Sequence, residues 1–277
     1  GMGTIYMKRA VITGPTGSIG IALINELEAN GIEVVAVVRP GSKRADRIKE
    51  SPLVKCVKCD LSKLDKLPEL IPDGADVFYH FGWDGTFGDS RNNMKGQNLN
   101  VKYALDAVEA ASKLGCKTFV GAGSQAEYGR FEGKLNGSTP TFPENGYGIA
   151  KLCAGQMTRI MCQQKGIKHI WTRILSIYGP YDGEKTMVMS TIDRLLKGEV
   201  PSCTMGEQMW DFLYSKDAAL AMRLLGEKGI DGKIYCIGSG QARPLKEYIN
   251  IMGESIDSTI QILSLIHISE PTRPLYI

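Results

Sequence analysis

A tyrosine and a lysine, Tyr147 and Lys151, are spaced so that together they could transfer a proton. They lie four residues apart in a run compatible with a helix, so their side chains would project from the same helix face. A phenol has an ordinary pKa of about 10, and it exchanges a proton readily at neutral pH only where a nearby cation favours the phenolate. The same spacing is also typical of an ordinary amphipathic helix. Its meaning therefore depends on the segments that precede it.

A glycine-rich loop follows the first predicted strand. Residues 8–13 form this strand, residues 14–20 read Gly-Pro-Thr-Gly-Ser-Ile-Gly, and apolar residues at helical spacing follow, with Gly31 as a C-cap. In such a unit the first glycine permits a tight turn, the second lets the backbone approach a pyrophosphate, and the third lets the helix pack on the strand. The loop therefore predicts a dinucleotide site at a helix N-terminus. Its predicted cofactor-binding residues are Gly14, Thr16, Gly17, Ser18, Ile19 and Gly20.

The second predicted strand, residues 33–38, ends at Arg39, and Lys43 and Arg44 follow closely. A carboxylate at this point of a dinucleotide fold binds the ribose 2′-hydroxyl, whereas an arginine suits a 2′-phosphate. Arg39 is thus a predicted cofactor-binding residue and favours NADP over NAD. The alternative is a solvated basic turn at the end of a strand.

Strands alternate with helices along most of the chain. Further strands are predicted at residues 54–59, 76–81, 118–122, 170–174 and 233–237, and a long amphipathic helix at 98–114. The pattern predicts an α/β fold, a Rossmann-type doubly wound parallel sheet with ligands at the carboxyl ends of its strands. The residues at or just after the ends of two of these strands are then also predicted to bind the cofactor, namely Asp60, Leu61, Phe81 and Gly82.

The chain is expected to divide into two parts. Residues 1–175 and the returning segment 215–240 would form the dinucleotide-binding domain, whereas 176–214 and 241–262, with a predicted helix at 187–196, would form a smaller C-terminal substrate lobe. Residues 263–277 resemble the translation of a transposase adapter used in sequencing libraries. We therefore expect a non-native tail and a truncated lobe; a natural tail is the alternative.

Composition excludes several classes of protein. The 277 residues carry a net charge of +3 with scattered lysines and arginines, which indicates no nucleic-acid or membrane surface. No apolar run reaches the roughly 18 residues of a membrane span, and no signal-peptide pattern precedes the first strand, so a cytoplasmic protein is expected. Seven cysteines, an odd number, do not indicate a disulfide framework, and the isolated pair Cys56 and Cys59 predicts no metal site.

Several ordered motifs together resemble the extended short-chain dehydrogenase/reductase family, in its NAD-dependent epimerase/dehydratase branch, over roughly residues 7–255. These motifs contain Thr13 and the loop glycines, Asp60-Leu61, Ser124 with Tyr128-Gly129, Tyr147 with Lys151, Arg173 with Tyr178-Gly179-Pro180, Asp211-Phe212 before Asp217, and Ile237-Gly238-Ser239-Gly240. The resemblance implies that Tyr147 is the general acid/base, that Lys151 holds the nicotinamide ribose and lowers the tyrosine pKa, and that Ser124 hydrogen-bonds the reacting oxygen. Asn100 resembles the family's asparagine on the central helix, although a locally bonded mid-helix residue is the alternative.

Departures from the family pattern bear on the substrate. Trp83 adds bulk after the fourth strand, and Gln125 and Ala126 replace the Asp-Glu pair of family dehydratases, which counts against water elimination. Trp210 replaces an arginine that commonly contacts a diphosphate, and Arg243 could substitute for it. The predicted substrate-binding residues are Trp83, Ser124, Gln125, Tyr178, Trp210 and Arg243.

The resemblance implies an NAD(P)-dependent oxidoreductase or epimerase that moves hydride at a ring carbon, C4, of a nucleotide-activated sugar; Arg39 favours a reductase. One alternative is an NADPH-dependent reductase of a non-nucleotide ketone or aldehyde, which Trp83 and Trp210 would suit. Another is a catalytically silent, cofactor-sensing module, against which the intact Tyr147 argues. Family members often dimerise through two helices, here 98–114 and 148–164.

Overall fold

A seven-stranded parallel sheet organises the computed structural model, which describes residues 3–130, 137, 139–174, 177–178, 209–210, 213–237 and 243–244. The described strands are β1 (Arg9–Thr13), β2 (Glu33–Val38), β3 (Val54–Lys58), β4 (Val77–His80), β5 (Thr118–Ser124), β6 (Lys168–Ile174), β7 (Ile177–Tyr178), β8 (Met209–Trp210), β9 (Leu213–Tyr214), β10 (Lys233–Ile237) and β11 (Arg243–Pro244). The large sheet has the order β3-β2-β1-β4-β5-β6-β10, and all its neighbours run parallel.

Helices cover both faces of this sheet. They are α1 (Ser18–Ala29), α2 (Leu67–Leu70), α3 (Met94–Lys113), α4 (Gly146–Lys165) and α5 (Ser215–Lys228). The helices α1 and α5 pack on one face, and α3 and α4 pack on the other. The predicted doubly wound fold is therefore confirmed. Within the described part of the chain, no helix combines the length and apolar character needed to cross a bilayer.

The strands are apolar on both sides because both faces are covered. In β1, Ala10 and Ile12 face the core shared with α1 and α5, whereas Val11 faces the core shared with α3. All three are fully buried. A continuous apolar run, as in β2, is what a doubly covered parallel strand requires.

The helix that carries Tyr147 is fixed at both ends. The Asn145 side chain caps its start by accepting a hydrogen bond from Gly148 N at 2.7 Å. Gly166 closes it with a φ of +70°, in the left-handed region that favours glycine. The central helix α3 begins at Met94, one turn before the predicted start, because Asn93 caps it by accepting from Gly96 N.

Little of the predicted substrate lobe lies within the described residues. Its short strands form two pairs: β7 with β9 in parallel, and β8 with β11 antiparallel. The predicted helix at 187–196, most of 176–214 and 241–262, and the segment 263–277 lie outside the described residues.

Candidate active site

A cleft with a volume of about 690 Å³ opens at the carboxyl ends of β1, β2 and β4. The predicted cofactor-binding residues that line it are Gly14, Thr16, Gly17, Arg39, Leu61, Phe81 and Gly82. The remaining ones, which are not in its lining, are Ser18, Ile19, Gly20, Asp60 and Lys151. The structure therefore brings residues that follow four strands, β1 to β4, together around one space.

The glycine loop fits a dinucleotide phosphate. Gly14 has a φ of +61°, and a Cβ there would lie 2.6 Å from Gly82 N. A Cβ on Gly20 would lie 2.6 Å from the Pro15 carbonyl carbon, so the helix could not pack this closely. By contrast, a Cβ on Gly17, the N-cap of α1, would meet nothing within 4 Å. Open space at an uncrowded helix N-terminus is what an anionic phosphate needs.

A buried hydrogen-bond cluster fixes the loop after β4. The Thr13 hydroxyl oxygen accepts from Phe81 N and Gly82 N, each at 3.1 Å. Its hydrogen is therefore left to donate to His80 Nδ1, 2.8 Å away. Burial lowers the pKa of His80 to about 3, so the imidazole is neutral and carries its hydrogen on Nε2. This cluster holds one wall of the cleft, and the sequence did not predict the role of His80.

The predicted 2′-phosphate ligand, Arg39, forms an ion pair with Asp84 from the opposite wall of the cleft. Asp84 is held by Asn100: Asp84 N donates to Asn100 Oδ1 at 3.0 Å, and Asn100 Nδ2 donates to Asp84 O at 2.7 Å. Asn100 is buried, so the mid-helix asparagine anchors the loop between β4 and α3. Both ion-pair side chains are about half exposed, which leaves the pair open to exchange with a ligand.

The structure brings the predicted catalytic residues Ser124, Tyr147 and Lys151 together. Ser124 ends β5, and Tyr147 lies in the first turn of α4. The Ser124 oxygen accepts from Ala126 N at 3.1 Å, so its hydrogen is available to donate towards the Tyr147 phenol, whose pKa the Ser124 side chain lowers. Burial raises the pKa of Tyr147, and the Ser124 hydrogen bond and the charge of Arg91 lower it in part.

Lys151 lies one turn beyond Tyr147 and is almost fully buried. Its Nζ donates to Ala122 O at 2.6 Å and lies 5.8 Å from the Tyr147 ring centroid. Burial lowers the pKa of Lys151 to about 7. The ammonium is therefore only partly charged at neutral pH, which limits how far Lys151 can lower the tyrosine pKa.

Two side chains from the loop after β4 surround the tyrosine ring. Trp83, which lines the cleft, meets Tyr147 edge-on with ring centroids 6.3 Å apart, and its Nε1 donates to Gln97 Oε1 at 2.9 Å. The Arg91 guanidinium carbon lies 4.7 Å from the Tyr147 centroid. Trp83 thus contacts both the cleft and the ring of Tyr147.

The Ser124 loop rests on a buried carboxylate, Glu127. Its Oε2 accepts from Ser124 N at 2.7 Å in a capping box, and its Oε1 accepts from Arg173 Nε at 2.9 Å. Trp171 Nε1 also donates to Oε1 at 3.2 Å. Sequence reasoning missed Glu127, although the Ser-x-x-Glu spacing is the signature of a capping box.

The other predicted residues have more local roles in the described structure. Asp60 Oδ1 accepts from Ser62 N at 2.9 Å and from Ser62 Oγ at 2.8 Å, which starts a short 3₁₀ helix and lowers the pKa of Asp60. Gln125 begins the 3₁₀ turn that holds Glu127. Of Tyr178, Trp210 and Arg243 only the strand placement is described, with Trp210 opposite Arg243 in β8 and β11. Within the described ranges, no group of three His, Cys, Asp or Glu side chains could hold a metal.

A dinucleotide cleft beside a serine, tyrosine and lysine defines a short-chain dehydrogenase/reductase. The family model for the NAD dependent epimerase/dehydratase family matches residues 10–238, and the chain belongs to this family of extended short-chain dehydrogenase/reductase enzymes.

Relatives within the family act on several nucleotide sugars. The trifunctional UDP-glucose 4,6-dehydratase/UDP-4-keto-6-deoxy-D-glucose 3,5-epimerase/UDP-4-keto-L-rhamnose-reductase of Arabidopsis thaliana is 26% identical over 89% of this chain, which spans only 39% of that relative. The dTDP-6-deoxy-L-talose 4-dehydrogenase (NAD(+)) of Aggregatibacter actinomycetemcomitans is 28% identical over 85% of this chain and 86% of its own. The UDP-glucose 4-epimerase of Thermotoga maritima, solved with UDP-glucose, shares the fold with a TM-score of 0.71 at 22% identity, covering 89% of this chain and 82% of that one.

Because Lys151 is buried, the free energy of unfolding of the protein without cofactor should depend on pH. The unfolded chain binds the lysine proton more tightly than the folded chain, so wild-type stability should rise between pH about 7 and 10.5. Lys151→Met should therefore be more stable than wild type below pH about 7, by a few kcal/mol at about 1.4 kcal/mol per pH unit. The advantage should shrink towards alkaline pH.

Urea unfolding across this pH range measures the difference, with Lys113→Met, which removes an exposed lysine of α3, as the control. A Lys151→Met effect that is the same at every pH would show that the lysine is charged throughout.

Proposed function

We propose that this chain transfers hydride between NAD(P) and a ring carbon, C4, of a nucleotide-activated sugar. The observation that carries the proposal is the placement of Ser124, at the carboxyl end of β5, next to Tyr147, whose pKa its side chain lowers, beside the dinucleotide cleft. These two side chains can polarise one oxygen together. Such an oxygen is what a carbinol or ketone presents when hydride leaves or reaches its carbon.

The side chains of this chain carry out the proton transfer that accompanies hydride transfer. In oxidation, Tyr147 takes the proton from the sugar hydroxyl while hydride leaves the carbon that bears this hydroxyl. In reduction, Tyr147 returns the proton to the carbonyl oxygen. Ser124 donates a hydrogen bond to that oxygen while the charge on it changes. Lys151, with a pKa of about 7, can pass a proton onward near neutral pH, because both its forms are populated. When bound, the nicotinamide supplies or accepts the hydride.

Reduction or epimerisation fits this site better than dehydration. Water elimination needs an acid for the leaving hydroxyl and a base for the α-proton, but Gln125 and Ala126 stand where family dehydratases have a carboxylate pair. The neighbouring carboxylate, Glu127, is fully buried and is tied to Arg173 and to Ser124 N, so it does not replace them. A relative named as a 4-dehydrogenase, matched over most of its length, supports hydride transfer at C4.

The substrate contacts are proposed from position. Trp83 lines the cleft next to Tyr147, and Gln125 follows Ser124 directly. Trp210 lies opposite Arg243 in an antiparallel pair, so one arginine shares a register position with the residue that replaces the family's diphosphate-binding arginine. We assign the diphosphate to Arg243, and the remaining substrate contact to Tyr178.

We also propose NADP in preference to NAD. Arg39, Lys43 and Arg44 all line the cleft where β2 ends, as a 2′-phosphate would require. In the described structure Arg39 is paired with Asp84, so a 2′-phosphate must displace that carboxylate.

A non-nucleotide ketone or aldehyde is the second candidate substrate. The observation in its favour is the edge-on packing of Trp83 against Tyr147, which makes the site entrance more apolar. A silent, cofactor-sensing module is the least favoured candidate, because it would not require Ser124, Tyr147 and Lys151 to lie together.

A homodimer formed through α3 and α4 is the proposed assembly. These helices pack together and expose large apolar side chains, one on α3 and three on α4: Leu99, Ile149, Met157 and Ile160. A cytoplasmic location is also proposed, since five cysteines within the described residues form no disulfide, namely Cys56, Cys59, Cys116, Cys153 and Cys162.

Substituting the phenol tests the catalytic assignment. Tyr147→Phe should lose turnover by about 10² to 10⁴ while it keeps cofactor affinity, because Tyr147 does not line the cleft. The assay is incubation with UDP-, dTDP-, CDP- and GDP-sugars, with NADH or NADPH followed by absorbance and sugar isomers by chromatography.

Net cofactor oxidation with a keto-sugar would support reduction, and isomer formation without it would support epimerisation. Turnover of simple ketones alone would support the second candidate. Unchanged turnover in Tyr147→Phe would contradict the role of the tyrosine.

The cofactor preference predicts opposite effects for the two partners of the ion pair. Arg39→Ala should weaken NADPH binding about tenfold or more, since hydrogen bonds to charged groups contribute about 1.5–3 kcal/mol, and should change NADH binding little. Asp84→Asn should strengthen NADPH binding by freeing Arg39. Fluorescence titration of each cofactor measures both. An equal loss of the two cofactors in Arg39→Ala would contradict a 2′-phosphate contact.

The proposed dimer predicts that a charge on the exposed face of α4 separates the subunits. Met157→Glu should give a monomer in sedimentation equilibrium, whereas Arg130→Glu, at an exposed arginine outside α3 and α4, should remain dimeric. A monomeric wild-type protein would contradict the assembly.

A further inference from the structure

We propose that Arg91 is a positioning residue that holds the ring of Tyr147 and stabilises its phenolate form. This inference rests on the proposed function, because it assumes that Tyr147 exchanges a proton during the reaction. No motif quoted from the sequence contains Arg91. It is assigned from its place in the fold.

Arg91 is held rigidly over the tyrosine. It lies in the 3₁₀ helix Gly88–Asn92, and its Nε donates to Thr86 O at 2.6 Å. This bond orients the guanidinium group over the Tyr147 ring. The central carbon of the group lies 4.7 Å from the ring centroid. A guanidinium at this distance from an aromatic face is attracted by the ring's negative quadrupole.

The backbone of the same segment is joined to the start of α4. Gly146 N donates to Asn92 Oδ1 at 2.9 Å. A Cβ on Gly146 would lie 2.8 Å from Arg91 O, so only glycine allows this approach beside the catalytic tyrosine. The segment of Arg91 is thus held against Gly146, the residue before Tyr147, by one hydrogen bond from the Asn92 side chain and by the close approach of Arg91 O.

Trp83 also packs against the Tyr147 ring. It meets Tyr147 at 90° and is itself held by Gln97. The arginine covers the ring face and the tryptophan stands edge-on to the ring, so neither takes the hydroxyl. The phenol oxygen is left for Ser124 and for a substrate oxygen.

Among the charged groups that surround Tyr147, Arg91 is the cation that remains charged. Three charged groups face the tyrosine from the elements packed on it: Arg91 from the 3₁₀ helix, Lys151 from α4 itself, and Glu127 from the turn after β5. Glu127 opposes phenolate formation. Lys151 is buried and has a pKa of about 7, so its charge is incomplete at neutral pH.

Arg91, in contrast, keeps its charge at every relevant pH, because a guanidinium is not deprotonated in proteins. Among the described residues, it forms no ion pair with a carboxylate, so its charge is not neutralised locally. Burial raises the pKa of Tyr147, and a fixed cation about 5 Å away is the means to offset it.

A site-specific titration tests the proposal without any substrate. A fluorotyrosine, whose phenol ionises at lower pH than tyrosine, is incorporated at position 147, and fluorine NMR follows its ionisation. Arg91→Met keeps the length of the stem and removes the charge, so the midpoint should rise by about one pH unit or more. Arg91→Lys should recover part of the shift, because it restores the charge but not the planar fork. Lys95→Met, which removes an exposed charge from the first turn of α3, should not move the midpoint.

An unmoved midpoint in Arg91→Met, or an equal shift in Lys95→Met, would overturn the proposal. If Arg91→Met fails to fold, as judged by circular dichroism, the less apolar Arg91→Gln carries the same comparison. A failure here leaves the proposed hydride transfer standing, because the loss of turnover in Tyr147→Phe tests that separately.

Turnover provides a second readout once a substrate is established. Arg91→Met should lower kcat for alcohol oxidation near neutral pH by about tenfold for each pH unit of displacement, and should move the rising limb of the pH profile to higher pH. KM should change little. A change confined to KM would indicate a substrate contact and would overturn the assigned role.

Discussion

The buried carboxylate of Glu127 is the constraint on which the active-site geometry depends. It sits under the end of β5 and receives hydrogen bonds from the Ser124 backbone and from Arg173, whose side chain is also buried. Removing one partner of such a pair would leave an uncompensated charge and cost about 3–5 kcal/mol. The pair therefore tolerates little movement, and the Ser124 hydroxyl is presented to Tyr147 from a fixed turn.

Other buried polar groups fix the remaining strand ends in the same way. Thr13 joins the end of β1 to the loop after β4, and Asn100 holds the next residues of that loop by both of its side-chain groups. Each connects a loop that would otherwise be mobile to a covered element, because an unsatisfied buried polar group would cost about 1–3 kcal/mol. The cofactor cleft and the proton-transfer residues thus share one rigid frame at the carboxyl edge of the sheet. The pKa of Lys151, displaced by burial, follows from the same dry packing.

Local sequence patterns predicted the fold, and they indicated side chains that the structure brings together at the candidate site. The bounds of β2 and β10 match their predicted runs, and Ser124, Tyr147 and Lys151 come together as the family resemblance implied. These successes depend on periodicity and on short motifs, whose geometry is set within a few residues.

The contacts that tune the site were not predictable in this way. Glu127 meets Arg173 from 46 positions away, and Arg91 reaches Tyr147 from a segment with no periodic pattern. Spacing alone also cannot show desolvation, so the sequence did not predict that burial lowers the pKa of Lys151 to about 7.

The central claim is that hydride moves between a bound nicotinamide and a sugar ring carbon while Tyr147 handles the proton. Its most direct measurement is a single turnover with reduced cofactor deuterated at the transferring position of the nicotinamide, followed by NMR of the sugar nucleotide. The account predicts deuterium on one ring carbon, C4, in wild type and none in Tyr147→Phe. Product formed without deuterium on the ring, or labelled equally well in Tyr147→Phe, would contradict it.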